Sequence, residues 1–215
     1  MAAREEELAD IVIQGVGLTA SVIGVGALIY LTVAWADNMA AAAASTYGAT
    51  LIAMFACSIL NATVRHPGRR SLVRVLDHSV IYFLIAGTYT PFCLLAIGGP
   101  RGLSLLLGVW FAACLGVAIR ILFHRRLKSA VITLYVLLGW SGLIHLDLIL
   151  QRVTGTALML LGLGGVLYTI GAPIHRWSSL RYHSAIWHSF VVLAAGCHYG
   201  AILLILTAFH GHPSA

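Results

Sequence analysis

The chain has 215 residues, of which 60% are hydrophobic and 9% charged, with a formal net charge of +6 and a mean hydropathy of +0.94. Soluble domains carry about 25% charged residues, so a water-soluble globule lacks the polar groups to cover its surface, and a disordered chain has far too much apolar area. The net charge rests on few groups, which speaks against nucleic-acid binding and fits the loops of a membrane protein.

A helix needs about 20 apolar residues to cross a bilayer, with a range of about 17–25. Seven runs qualify: Ile11–Ala36, Ala40–Thr63, Val80–Ile97, Leu103–Phe123, Ser129–Leu150, Thr156–Ile174 and Ala185–Ala208. Strands of a membrane barrel would alternate in polarity over about ten residues; these runs are longer and uniformly apolar. The expected fold class is an all-α integral membrane protein, a seven-helix bundle forming a single domain over residues 1–215.

Glu5, Glu6, Glu7 and Asp10 precede the first run, and Ala34-Trp35-Ala36 at its end resembles a small-residue cleavage site. A secretory leader has a basic start and a shorter apolar stretch, so the run reads as a retained span. Ser58 lies late in the second run, and Asp77-His78 introduce the third. His145 and Asp147 fall at the far end of the fifth. Gly162, Gly164 and Gly165 in the sixth read as close-packing positions. The seventh opens with His183, Ser184 and His188 and carries His198 about 15 Å deeper by helical rise. Cys57, Cys93, Cys114 and Cys197 all lie within runs at spacings that read as apolar filler rather than a disulfide framework.

Basic residues set the orientation. With the N-terminus inside, the cytoplasmic segments hold Arg4, Arg65, Arg69, Arg70, Arg74, Arg120, Arg125, Arg126, Lys128, Arg176 and Arg181, eleven in all, against Arg101 and Arg152 outside. Positive charge is retained on the cytoplasmic side, so the N-terminus is expected inside and the C-terminus outside. Asp10 and Gln14 on the first helix, Ser58 on the second, Asp77 and His78 on the third, and His183, Ser184 and His188 on the seventh then share one layer near the cytoplasmic face. Ionisable groups in a span are costly and mark function by default. Taken singly, Asp77 also reads as a helix N-cap or a partner for Arg74, and His183 as a headgroup-level residue.

The stretch from Asp77 to Pro91, DHSVIYFLIAGTYTP, resembles the signature of hemolysin III-type proteins, within the progestin and adipoQ receptor superfamily. Ser58 nineteen residues earlier, Gly139-Trp140, Ala185-Ile186-Trp187-His188 and Cys197-His198 fit the same pattern, which covers Glu6 to about Ile205. The resemblance implies a seven-helix bundle with a cytoplasmic-side zinc site. Its ligands would be a histidine on the second helix and two on the seventh, with an aspartate on the third holding a metal-bound water. Zinc with three protein ligands and a water is a hydrolytic arrangement. Here Ala62 occupies the ligand position four residues after Ser58, and Ser184 the one four residues before His188. Asn61 stands where many members have tyrosine, Gln14 for a histidine and Asp10 for an asparagine. His183 is offset from His188 by five residues, about 140° around a helix.

The candidate site residues are therefore Asp77 and Ser58 as catalytic groups and His188, His183 and Asp77 as metal contacts, with Zn2+ expected to be weak or absent. The resemblance implies a multi-pass protein of a bacterial plasma membrane, with membrane lipids as partners, acting in membrane homeostasis, lipid interaction or cytolysis. A zinc-dependent lipid-amide (ceramide-type) hydrolase is the alternative enzyme reading. A channel or transporter ranks last, because no charged chain crosses the bundle and no inverted repeat is visible. Topology is directly measurable: reporters fused near Arg70 and after Arg126 are expected to read cytoplasmic, and one after Pro213 external. A cytoplasmic C-terminus would overturn this orientation.

Overall fold

The computed structural model describes residues 2–64, 66–122, 128–177 and 179–211. Arg65, Arg125 and Arg126, part of the basic asymmetry, lie outside the described residues. The elements are α1 (Ala2–Ala34), α2 (Asn38–Thr63), α3 (Pro67–Pro91), α4 (Gly99–Leu122), α5 (Lys128–Gly139), α6 (Leu146–Arg152), α7 (Gly155–Arg176) and α8 (His183–Gly211). Seven helical segments among the described residues are long and apolar enough to cross a membrane, as the seven runs imply. Backbone polar groups have no water to bond in hydrocarbon, and the helix satisfies them within one segment.

Local sequence fixes the ends. The Asp37 carboxylate accepts from Ala40 N–H at 2.9 Å and starts α2. The hydroxyl of Thr154 accepts from Ala157 N–H at 3.4 Å and starts α7. Pro67 sits in the first turn of α3, where its missing N–H costs nothing. Pro91 ends the regular α3 geometry, and Phe92–Ile97 continues as a wider π-helical turn. Gly98 and Gly99, with φ of 64° and 57°, then reverse the chain into α4, a backbone region open to glycine and strained for other residues.

α1 packs on α2 and α8, α2 on α3, α3 on α4, and α7 on α8. α3 is the central helix: 61% of its most apolar stretch is buried, against 6% for the span that contains α6. The fifth span departs from the sequence reading. It breaks after Gly139, runs through a tight 3-10 turn at Ser141–His145, and resumes as α6. Tyr89 of α3 holds the break, its hydroxyl donating to Gly139 C=O and accepting from Gly142 N–H, both at 2.7 Å. The cysteines are unpaired.

Two of the three glycines of the sixth run are close-packing positions. A Cβ on Gly164 would lie 2.4 Å from His198, and one on Gly165 would lie 3.3 Å from Trp140, whereas Gly162 faces open space and is corrected as a packing position. His198 bonds the Leu161 carbonyl and packs on Tyr168, with ring centroids 5.6 Å apart. Gly164→Leu is expected to destabilise the bundle by about 1–3 kcal/mol through overpacking, while Gly162→Leu leaves thermal unfolding in detergent unchanged. Equal midpoints for the two would contradict this packing.

Candidate functional site

The polar layer forms at the end of the bundle that carries the N-terminus. Asp10 and Gln14 are one turn apart on α1 and share a face; Ser58 and Asn61 do the same on α2. Asp77 comes from α3 and His188 from α8. Asp10, Gln14, Ser58, Asp77 and His188 are all buried, with Gln14 fully so. Asp77 is not an N-cap. α3 begins at Pro67, because the arginine-rich stretch before the apolar run stays helical, and this places Asp77 in the third turn. Its side chain turns to α2 instead: Ser58 Oγ donates to Oδ1 at 2.5 Å and Asn61 Nδ2 donates to Oδ2 at 2.8 Å.

A second network joins the first helix to the last. His188 Nδ1 lies 2.6 Å from Asp10 Oδ1. Gln14 Nε2 donates to Asp10 Oδ2 at 2.9 Å and lies 3.1 Å from the same imidazole nitrogen. Each carboxylate thus has both oxygens engaged, which meets the requirement that buried charge be hydrogen-bonded.

The two networks border one cavity of about 30 Å3, lined by Ser58, Asp77 and His78, by Tyr135 of α5, by His175 of α7 and by Trp187 and His188. The Tyr135 hydroxyl bonds the His78 carbonyl at 2.9 Å. The rings of His78 and His175 meet edge to face at 5.8 Å, and His175 lies 5.6 Å from Trp187. His175 Nδ1 is buried without a hydrogen-bond partner.

The structure brings Ser58, Asp77 and His188 to this cavity. His183 does not line it. It opens α8 half-buried, its Nε2 3.5 Å from Ser184 Oγ, and the chain enters there through Tyr182 at φ 60°. Ion pairs of Arg181 with Glu5 and Glu6, at 3.4 and 3.7 Å, tie this entry to the start of α1. His175 was not apparent from the sequence, because it lies one residue past the sixth apolar run, which ends at Ile174. The signal was present: Gly171 and Ala172, four and three residues earlier, are small buried residues of the same face, and α7 continues through Pro173 to Arg176.

A zinc site needs three converging protein donors. Among the described residues no three His, Cys, Asp or Glu side chains form such a group. Asp77 is held by Ser58 and Asn61, and one nitrogen of His188 is held by Asp10. The residues present do not fit the three-ligand metal centre that the resemblance implies.

Residues 2–199 match the family model described as Haemolysin-III related. "Hemolysin-3" of Bacillus cereus is 34% identical, covering 98% of this chain and 94% of that protein. "Hemolysin-3 homolog" of Bacillus subtilis (strain 168) is 31% identical over 93% of each chain. Human "Monocyte to macrophage differentiation factor" is 31% identical over 73% of this chain and 67% of its own length. No solved structure matches. The chain belongs to the haemolysin-III-related family and is a multi-pass integral membrane protein.

Replacing Asp77 with alanine strips Ser58 and Asn61 of their shared acceptor. The expected cost is about 1–3 kcal/mol, read as a lower unfolding midpoint in detergent, with Asp77→Asn losing less. An unchanged midpoint in Asp77→Ala would mean that these bonds do not hold the layer.

Proposed function

We propose that this haemolysin-III-related protein acts on the membrane itself, in membrane homeostasis, lipid interaction or cytolysis, without efficient zinc chemistry. The polar end of the bundle faces the cytoplasm of a bacterial plasma membrane in this reading, in line with the basic asymmetry. The observation that carries it is the engagement of Asp77 and His188 by side chains of α2 and α1. In this reading, hydrogen bonds do what a metal would do, holding the two groups and joining the helices. Zinc, if bound, is held weakly through His188 with Asp77 nearby.

The second reading is a zinc-dependent lipid-amide hydrolase, with Asp77 and Ser58 as the catalytic groups, His188 as a ligand and His183 as a substitute for the ligand missing at Ser184. The cavity supports it, since a carboxylate and three histidines line one space. Against it stands the placement of His183 off that cavity. Recruiting His183 requires unwinding the first turn of α8, which frees backbone groups in a partly apolar setting.

Metal analysis separates the two. The purified protein is expected to hold zinc well below one equivalent. The double variant Ala62→His, Ser184→His is expected to bind it more tightly by orders of magnitude, because each missing donor is restored. Stoichiometric, tightly held zinc in the unmodified protein would overturn the first reading in favour of the hydrolase.

A further inference from the structure

We propose that the exposed start of α3 holds an anionic phospholipid, with Arg69 and Arg70 on its phosphate and Leu72 and Leu76 along an acyl chain. This surface lies apart from the cavity and does not depend on the chemistry there.

Acids are scarce on this side of the bundle. From Asn38 to Leu146 the sequence holds one, Asp77, and both its oxygens are engaged by Ser58 and Asn61 of α2. The same stretch brings Arg69, Arg70, Arg74 and Arg120 to the end of the bundle that carries the N-terminus. Arg69, Arg70 and Arg74 are exposed, whereas Arg120 is buried. A Cβ on Gly116 would lie 2.5 Å from Tyr82. Arg120, one turn further along α4, is therefore level with His78, one turn back along α3. Arg74 and Arg120 both bear electrostatically on the His78 ring. A buried charge is screened little by salt, so the field of Arg120 adds to that of the three exposed arginines. Potential of one sign concentrates ions of the other, and here that ion is an anion.

The apolar neighbours decide what carries the anion. Arg69, Leu72 and Leu76 stand at i, i+3 and i+7, which is one face of a helix. Leu72 is 66% exposed and Leu76 52%. By helical rise the two leucines sit about 4.5 and 10 Å deeper along the axis than Arg69. One face thus presents a cation at its outer end and hydrocarbon further in, which is the order of phosphate and acyl chain in a phospholipid. A soluble phosphate would satisfy the arginines and leave the leucines uncovered. Arg70, the next residue, offers a second guanidinium to the same headgroup, and each planar fork can pair two N–H groups with two phosphate oxygens.

The surface is held in place before any lipid arrives. The N–H groups of Arg69 and Arg70 bond the His66 carbonyl at 3.1 and 3.0 Å, so both residues already belong to the helix. Val73, in the next turn, is buried and fastens this segment to the bundle. Less ordering is then left to be done on binding. The same charges set the headgroup preference. A phosphatidylcholine brings a choline cation towards four arginines, while a phosphatidylglycerol brings its phosphate without one. The occupant is therefore a lipid of net negative charge.

The test titrates the full chain in detergent with phosphatidylglycerol, or with phosphatidylcholine of the same acyl chains, and reads retained lipid by native mass spectrometry. Phosphatidylglycerol is expected to be retained at concentrations where phosphatidylcholine is not. Near an anionic surface each arginine strengthens binding about fivefold, so Arg69→Gln combined with Arg70→Gln is expected to weaken retention on the order of 10–30-fold. Leu72→Ser combined with Leu76→Ser is expected to weaken it too, which a site for phosphate alone would not show. Arg101→Gln combined with Arg152→Gln, at the opposite end of the bundle, is expected to leave it unchanged. All six positions are exposed, so the unfolding midpoints are expected to stay together. Equal retention of the two lipids, or equal loss in the two arginine pairs, would overturn the proposal. Displacement of the lipid by an equal concentration of glycerol phosphate would also overturn it, by marking a site for a soluble anion.

Discussion

Hydrocarbon offers no hydrogen bonds, and this decides how the polar end of the bundle is built. Asp10, Gln14, Ser58, Asp77 and His188 are buried among helices whose outer faces are apolar, so each must find its partner on another helix or on its own. Asp77 pins α3 to α2, and Asp10 pins α1 to α8. An unpaired charge there would cost several kcal/mol, whereas an exposed pair such as Arg181–Glu5 contributes about 0–1 kcal/mol. The interior hydrogen bonds therefore govern how the helix ends meet, and the surface ion pairs only trim the entry to α8.

Much of this was legible in the sequence, because the constraint is compositional. Twenty-odd apolar residues have one outcome in a bilayer, so the spans follow from counting. Helix direction placed Asp10, Gln14, Ser58, Asp77 and His188 at one level. Pairing was not legible: nothing local shows that Asp10 meets a histidine 178 residues later, or that Asn61 turns to Asp77 rather than outward. The break in the fifth span depends on the Tyr89 hydroxyl of another helix. His175 was hidden because it falls just past the apolar run, while the helix continues through Pro173 to Arg176, as helical membrane segments tolerate proline.

Positions that depart from the family pattern do not scatter. Asp10, Gln14 and Asn61 all join the hydrogen bonds that hold Asp77 and His188. Ala62 and Ser184 lack a strong metal donor, while these three add polar contacts on neighbouring turns. The result is a site in which directional bonds between side chains hold two helix pairs, α1 with α8 and α2 with α3.

The bond between α1 and α8 joins the first helix of the bundle to the last. Until α8 is inserted, Asp10 and Gln14 have each other but no imidazole, and they sit on a helix committed to lipid. One oxygen of Asp10 therefore gains its partner only when α8 is in place beside α1. Because the two helices farthest apart along the chain share a buried contact, α8 completes the packing of α1 instead of docking at the periphery.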